Sequence, residues 1–285
     1  MKPDRKFIYV SLFTLSWALA IFFRKLALNL GAHPITFLLQ SGFMSGVILT
    51  TYILLIRRNY LRTITHSTVR LLIVMALLVG GAWITDTWGL KLTTSINYSL
   101  IIKSGLIFSL LFSVITLKER ITRQKWLLAI IMAMGVYFIT TRGERIAPRY
   151  GDLLIVLAAL LYSAGSTVEK ILTRAMHPDI IAWLRTVSGV MILFTVQVTV
   201  GHLDWRIVAP LYIAIVGILL CFTTIFLLKS LAVAELSYLT LMTMLVPVIN
   251  TILGVTFLGE TMNDWQVLGG IIIIVSGVLI HRIHT

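Results

Sequence analysis

Charged residues are scarce in this sequence, and acidic residues are scarcer still. Asp, Glu, Lys and Arg together make up 12% of its 285 residues, about half of their share in a typical soluble domain. Hydrophobic residues make up 58%, and the mean hydropathy is +0.97. Too little polar surface is left to face water, which excludes a soluble globular domain. The same apolar composition excludes an intrinsically disordered chain.

The sequence also lacks the residues of most catalytic and metal sites. Cys221 is its one cysteine, which excludes an intramolecular disulfide and a metal site built from several cysteines. The six histidines fall in predicted loops or near the ends of the chain, without the spacing of metal ligands. Nucleophile motifs, phosphate-binding loops and paired carboxylates are missing as well. We therefore expect a protein that is not an enzyme, uses no cofactor and no metal, and is not driven by ATP.

What the sequence has in abundance is long apolar runs. Runs of about 20 residues, long enough for a helix to cross a bilayer, recur along the whole chain. Short polar breaks separate them, and the alternating pattern of barrel strands is absent. These runs predict an all-α integral membrane protein with ten transmembrane helices in the cell membrane, surrounded by the lipid bilayer. The predicted spans are roughly 7–29, 35–56, 70–90, 95–117, 125–141, 152–174, 179–200, 207–228, 235–258 and 265–282.

Basic residues outnumber acidic ones by 24 to 11, which gives a formal net charge of +13. With the N-terminus in the cytoplasm and the spans alternating, fifteen basic residues fall on the cytoplasmic side, five fall outside and four lie within spans. This asymmetry follows the positive-inside rule and predicts that both termini are cytoplasmic. Because the charge is spread over short loops instead of forming a patch, we expect no nucleic-acid partner.

The second half of the sequence repeats the first. His33-Pro34, before the second predicted span, recurs as His177-Pro178 before the seventh, and Leu117-Lys118-Glu119 recurs as Leu258-Gly259-Glu260. Each half holds five spans, and because five is odd, the second copy must enter the membrane upside down. Inverted repeats around a site near the middle of the membrane are a design of transporters. The two predicted copies, which together form one transport unit, are residues 1–146 and 147–285.

These repeated motifs, together with Ser16-Trp17 and Lys25 in the first span and Arg185 in the seventh, resemble the drug/metabolite transporter superfamily. More narrowly, they resemble its EamA-type members. The resemblance covers nearly the whole chain and implies ten helices in two inverted five-helix repeats. It also implies a cavity among the first, third, fourth, sixth, eighth and ninth spans. Members of the family carry amino acids, nucleosides, sugars, amines and other metabolites, so the resemblance does not name the cargo.

The sequence departs from the family pattern at several points. Gln40 and Ser41 stand in the first copy where the second offers Arg185, and Lys118 replaces the usual glycine of the Leu-Xaa-Glu motif. Only the second copy has a proline within a span, Pro247 in the ninth. We expect Pro247 to kink this span and to free a backbone carbonyl, which would give it a hinge or gate role.

A charged side chain within a predicted span costs at least about 2.5–3.5 kcal/mol near the centre and needs an explanation, and five of those present are candidates for a polar pathway. Three of them, Lys25, Asp86 and Lys103, fall on the outer half of the membrane. Lys103 lies only slightly off the midplane, too deep for its ammonium to reach the membrane surface easily. We predict an outer cluster in which Asp86 pairs with Lys103 or Lys25.

The other two charged side chains, Glu169 and Arg185, fall on the inner half. We predict an inner cluster in which Glu169 pairs with Arg185 or Lys170. The functional interpretation is that the two clusters are alternating gates, with one pair formed while the other is open. The alternative is static neutralisation, with long basic side chains extending towards the membrane surface.

Five aromatic residues are candidates for lining the cavity. Trp17 is the most informative, because it lies near mid-span, where its indole N–H finds no lipid partner and needs a cavity or another helix. The alternative for tryptophan and tyrosine is the aromatic belt at the membrane surface. The predicted cavity residues are Trp17, Trp83, Tyr98, Tyr162 and Tyr238, together with Lys25, Asp86, Lys103 and Glu169.

These features predict a secondary transporter, a facilitator or exporter of small polar metabolites that works by alternating access around a midplane cavity. Basic residues outnumber acidic ones within the spans, which favours a cargo with a carboxylate and makes amino acids the leading case. Asp86 or Glu169 could couple transport to protons, and an uncoupled carrier is equally compatible. The alternatives are efflux of cationic or amphipathic drugs and a lipid-headgroup flippase. We expect a monomer or a weak homodimer.

Overall fold

The computed structural model describes residues 5–93, 101–141, 143–144, 150–200, 206–259 and 261–284. Within these ranges all regular structure is helical and no strand occurs. A helix satisfies its own backbone hydrogen bonds, which is what an apolar segment inside a bilayer requires. The predicted all-α fold is therefore confirmed.

Eleven α-helices, which we label in chain order, and three short 3-10 helices make up the described structure. The first copy contributes α1 Arg5–Asn29, α2 Pro34–Ile56, α3 His66–Leu92, α4 Gly105–Ile115 and α5 Arg123–Thr141. The second contributes α6 Tyr150–Leu172, α7 Pro178–Val200, α8 Pro210–Val233, α9 Leu236–Met242, α10 Val246–Leu258 and α11 Asp264–His284. The 3-10 helices are Arg58–Thr63, Ile102–Ser104 and Thr243–Leu245.

The helices give the predicted number of spans. Over the described ranges, nine are long and apolar enough to cross a membrane, when α9, the turn Thr243–Leu245 and α10 count as one. A further apolar helix, Ile102–Ile115, is shorter within the described residues, and the start predicted for the fourth span at residue 95 lies outside them. The protein is thus a multi-pass membrane protein, and each of these described helices falls on one of the ten predicted apolar runs.

The packing of the helices shows how the two copies fit together. Eight of the close pairs are α3 with α6, α1 with α8, α3 with α7, α2 with α8, α4 with α6, α1 with α10, α2 with α7, and α5 with α11. Exchanging each span for its counterpart in the other copy turns six of these pairs into one another and leaves two, α2 with α7 and α5 with α11, unchanged. The pair of α7 with α8 departs from this symmetry. The copies are therefore interlocked about a twofold pseudo-symmetry, as inverted five-span repeats require. The boundary predicted between residues 146 and 147 lies outside the described residues and stays a prediction.

Both described ends of the chain lie at the same end of the helix bundle. The rings of Phe7 in α1 and His281 in α11 have centroids 4.5 Å apart, and Tyr238 Oη at the start of α9 is 3.2 Å from His281 Nδ1. We call this end of the bundle the termini face and the other end the opposite face. Because the spans alternate, α2, α4, α6 and α8 all end at the termini face, where α5, α7 and α9 begin.

Glycines allow one helix pair to pack backbone against backbone. A Cβ atom on Gly135 in α5 would lie 2.9 Å from the carbonyl oxygen of Gly269 in α11, and one on Gly269 would lie 2.5 Å from that of Gly135. Neither position tolerates a larger residue without moving the helices. Small residues at such contacts are how membrane helices pack closely without a hydrophobic driving force between them.

Candidate functional site

A 3-10 turn directly precedes α4 in the fourth span, and another separates α9 from α10 in the ninth; we call each of these turns a break. The turns, Ile102–Ser104 and Thr243–Leu245, occupy matching positions, each the same number of residues before the Leu-Xaa-Glu motif of its copy. Pro247 lies in the first turn of α10, directly after the second break, where a missing N–H is tolerated. The first break has no proline and is followed by Gly105. The break therefore belongs to the repeat, and the gating role of Pro247 stays a prediction.

Lys103 lies in the middle of the break in the fourth span. Its Nζ is 5.0 Å from the centroid of the Trp17 ring in α1, within the range of a cation–π interaction. Both side chains are partly buried. Met244, at the matching position of the ninth span, is 3% exposed. The structure thus brings together two of the predicted cavity residues, Trp17 and Lys103, at a break that is charged in one copy only.

Small hydroxyl groups surround this break. Ser163 Oγ in α6 is 3.0 Å from the carbonyl oxygen of Gly105, and Ser109 Oγ in α4 donates to Ser163 Oγ at 3.1 Å. The buried Ser104 Oγ has no hydrogen-bond partner among the described residues. Buried hydroxyls normally find a partner, so this hydroxyl is an exception among the described residues.

Glu169 and Arg185 form the buried ion pair of the predicted inner cluster. Arg185 Nε donates to Glu169 Oε1 at 2.6 Å, and the Glu169 side chain has no exposure while that of Arg185 is 15% exposed. Glu169 Oε2 is buried without a hydrogen-bond partner in the described structure. Lys170 does not join this pair and instead donates to the carbonyl oxygens of Leu231 and Ala234 at the end of α8.

The predicted outer cluster consists of Asp86, Lys25 and Lys103. Asp86 is 6% exposed in α3 and Lys25 is exposed near the end of α1. Among the described residues there is no ion pair between Asp86 and Lys103, because Lys103 lies over Trp17. The outer gate stays a prediction.

The other predicted aromatic residues lie at several sites. Trp83 packs against α7, where a Cβ atom on Gly189 would lie 2.8 Å from its ring. Tyr162 is partly buried in α6, and Tyr238, 2% exposed, contacts His281 at the termini face. Tyr98 lies outside the described residues. A cavity-lining role for these four stays a prediction.

The sequence analysis missed a further buried acid, Asp179, the first residue of its seventh predicted span. Asp179 lies in the first turn of α7 and has no exposure. Tyr52 Oη donates to its Oδ2 at 2.9 Å, Arg57 Nε is 3.3 Å from Oδ2, and Lys229 Nζ is 3.6 Å from Oδ1. His177 Nδ1 is 3.8 Å from Oδ2. We call these five residues the Asp179 cluster. The sequence indicates it at one point only: the second copy has the acid Asp179 where the first copy has Ile35.

Glu119 connects the end of the fourth span to the start of the ninth span. Its carboxylate accepts hydrogen bonds from the backbone N–H of Leu236 at 2.7 Å and from the N–H and hydroxyl of Ser237 at 3.1 and 2.8 Å. A carboxylate at the start of a helix satisfies its unpaired N–H groups and favours the helix dipole. Lys125 Nζ adds an ion pair with Glu235 Oε2 at 2.7 Å, so one copy holds a helix start of the other.

Two segments of the chain, residues 5–141 and 149–282, each match the EamA-like transporter family. The chain belongs to this family. It is therefore a membrane transporter, and the two matched segments correspond to the two interlocked copies seen in the helix packing. The family match supports neither a particular substrate nor a direction of transport.

Individual relatives are distant. An uncharacterized transporter of the archaeon Methanothermobacter thermautotrophicus is 24% identical over 118 residues, which are 40% of this chain. The chain spans 34% of that relative's length. A crystal structure of a protein with 16% sequence identity superposes with a TM-score of 0.78 and covers 96% of this chain and 99% of its own. At that identity the likeness shows the fold alone.

Proposed function

We propose that this EamA-like protein is a secondary transporter of small carboxylate-bearing metabolites, amino acids first, which it facilitates or exports by alternating access. The observation that carries the proposal is Lys103 at the break of the fourth span. Its ammonium lies over the Trp17 ring, and next to it in the chain is the Ser104 hydroxyl, which has no hydrogen-bond partner in the part of the chain that the structure describes. A cation, an aromatic face and a hydroxyl are the groups that a small carboxylate with a short side chain needs.

Charge supports a carboxylate over an amine at this position. Among the described residues, no carboxylate lies within ion-pair distance of Lys103 Nζ, so its charge is left to the Trp17 ring. A cation–π contact is worth only about 0.5–2 kcal/mol, less than the cost of placing an ammonium this deep in a membrane. A bound carboxylate would supply the missing counter-charge, and we infer that Lys103 holds the cargo by that group.

The repeat supports alternating access. Each copy carries a break at the same position, and the interlocked helix pairs allow one copy to rock against the other about a central site. The buried pair of Glu169 and Arg185 would act as one gate of that movement. Glu169 is also the candidate for proton coupling, and an uncoupled carrier fits equally well.

Transport by the purified protein in liposomes tests the proposal. Uptake is measured for a panel of amino acids, amines, nucleosides and lipid head groups, with and without a pH gradient. We expect amino-acid uptake to fall about tenfold or more in Lys103→Met, the loss of about 1.4 kcal/mol or more of cargo binding. Arg62→Met, which removes a basic charge from an exposed loop, is the matched control. Unchanged amino-acid uptake in Lys103→Met, or uptake of amines alone by the wild type, contradicts the proposal.

One observation favours a second candidate, the lipid-headgroup flippase. An apolar groove of about 500 Å³ runs between α4 and α5 from Leu106 to Phe138, with Trp126 and Tyr137 in its wall. It begins three residues after Lys103, so a lipid could place its head group at the break and an acyl chain in the groove. Transfer of labelled phospholipid between leaflets, sensitive to Lys103→Met in the same liposomes, would favour this function over metabolite transport.

A further inference from the structure

The Asp179 cluster joins three helices at the termini face. Asp179 begins α7, Tyr52 and Arg57 come from the end of α2, and Lys229 comes from the last turns of α8. The Asp179 carboxylate contacts both of the other helices through its two oxygens. At this face α2, α7 and α8 are therefore held together through one buried side chain.

The ion pairs of Asp179 are long. Its two cations lie at 3.3 and 3.6 Å, whereas strong charge-assisted hydrogen bonds measure about 2.7–2.9 Å; only the hydrogen bond from Tyr52, at 2.9 Å, has an ordinary length. Oδ1 of Asp179 has no hydrogen bond among the described residues. Two long ion pairs hold the three helices together and are easier to break than one short pair. If Asp179 is neutralised, Arg57 and Lys229 both lose their negative partner.

Directly inside the cluster the same two helices meet again through neutral groups. Trp183 Nε1 in α7 donates to Thr50 Oγ1 in α2 at 2.9 Å. Thr50 lies less than one turn deeper along α2 than Tyr52, and Trp183 lies one turn deeper along α7 than Asp179. Separation of α2 from α7 at the Asp179 cluster would therefore expose Thr50 first.

The opposite face has no equivalent of this cluster in the sequence. In the register that aligns the two His-Pro pairs, Ile35 takes the place of Asp179, and Thr85 that of Lys229. Val196 and Gly201 take the places of Tyr52 and Arg57. All charge has been lost from the related position. The start of α2 instead borders a cleft of about 130 Å³ with polar groups from His33, Thr36 and Gln40.

From this one-sided arrangement we infer that the Asp179 cluster is a latch, which closes the transport pathway at the termini face and has to open in each cycle. The inference rests on the alternating access of the proposed function, and it adds Asp179, Arg57 and Lys229 as gating residues. If both copies carried the same charges, the state closed at the termini face and the state closed at the opposite face would be equally stable. A latch at one face only shifts the resting population towards the state closed at the termini face.

Labelling of a reporter cysteine tests the latch without any transported substrate. The reporter is Thr50→Cys in a Cys221→Ser background, in full-length protein in vesicles oriented with the termini face outward. A membrane-impermeant maleimide is added outside. We expect Asp179→Asn, which keeps the acceptor for Tyr52 but removes the charge, to raise the labelling rate about tenfold or more, in line with the population shift that corresponds to one lost ion-pair contact.

The matched control is Asp264→Asn, which neutralises an exposed acid in the first turn of another helix, α11, and should leave the rate unchanged. If Asp179→Asn does not yield folded protein, Lys229→Met is used, with a smaller rise expected because Arg57 remains. Equal labelling of the latch variant and the control overturns the latch. Since no cargo is needed, this result is distinguishable from a failure of the proposed carboxylate transport.

Discussion

The two breaks in the helix bundle have the same backbone but different side chains. In the fourth span the 3-10 turn Ile102–Ser104 carries Lys103, whose ammonium faces an indole ring. In the ninth span the matching turn Thr243–Leu245 carries Met244, which is almost fully buried. The starts of α2 and α7 differ in the same way, since one has Ile35 and the other the buried Asp179.

This comparison separates what forms the fold from what gives it a function. The apolar patterns of the two copies are alike, so their helices, breaks and packing partners are alike. The charges follow no such symmetry: Lys103 belongs to the first copy, while Glu169, Arg185 and Asp179 belong to the second. Three mutational tests, given in order of decreasing expected effect, examine this difference between the two copies.

The largest effect is expected at Glu169, whose counterpart in the first copy is Lys25. Glu169→Gln leaves Arg185 buried without a counter-charge, and breaking such a pair costs about 3–5 kcal/mol. Lys25→Met, at an exposed position, should cost less than about 0.5 kcal/mol. Thermal unfolding in detergent measures both. Replacing both Glu169 and Arg185 by methionine should recover most of the stability lost in Glu169→Gln. Equal losses of stability in Glu169→Gln and Lys25→Met would contradict the difference between the two copies.

An intermediate effect is expected at Lys118 and Gly259, where the two copies share a backbone conformation but differ in residue type. Lys118 has φ +56° and Gly259, its counterpart, has φ +64°, a region that costs a non-glycine residue about 1–2 kcal/mol. Lys118→Gly relieves this strain, but glycine also gives the unfolded chain more conformational entropy, which offsets part of the gain. We therefore expect a net stabilisation of up to about 1 kcal/mol. Gly259→Ala should destabilise it by about 1 kcal/mol or more through backbone strain alone, since an added Cβ meets nothing within 4 Å. If Lys118→Gly and Gly259→Ala change the melting temperature in the same direction, the explanation by backbone strain is excluded.

The smallest effect is expected at His177, which precedes α7 as His33 precedes α2. Burial lowers the pKa of His177 below 6.5; Asp179 opposes this shift, whereas Arg57 and Lys229 add to it. The folded protein therefore takes up this proton at lower pH than the unfolded chain, so its stability is full above about pH 6.5 and declines as the pH falls below it.

His177→Gln should remove this part of the acid sensitivity, and His33→Gln, at an exposed position, should not. The measurement is the difference in melting temperature between neutral and mildly acidic buffer, with the wild type as reference. The same pH dependence in the wild type and both variants would show that the surroundings of His177 do not matter.

Much of the fold could be predicted because membrane spans and repeats are local patterns of hydrophobicity. The same reasoning singled out Lys103 and Trp17, since a charge or an indole N–H deep in a span needs a partner. It did not predict that the two side chains would meet each other. Spacing along the chain gives depth in the membrane but not the direction in which a side chain points around its helix.

The number of spans, the repeat and the class of protein follow from the amino-acid order, because a bilayer accepts only long apolar helices and five spans force an inversion. Which charges meet depends on the three-dimensional packing of the helices. Asp179 is the first residue of the predicted seventh span, yet it is buried because Tyr52, Arg57 and Lys229 reach it from helices distant in the chain. Depth is set by hydrophobicity and can be read in one dimension, whereas ion pairs depend on helix rotation and on which helices become neighbours.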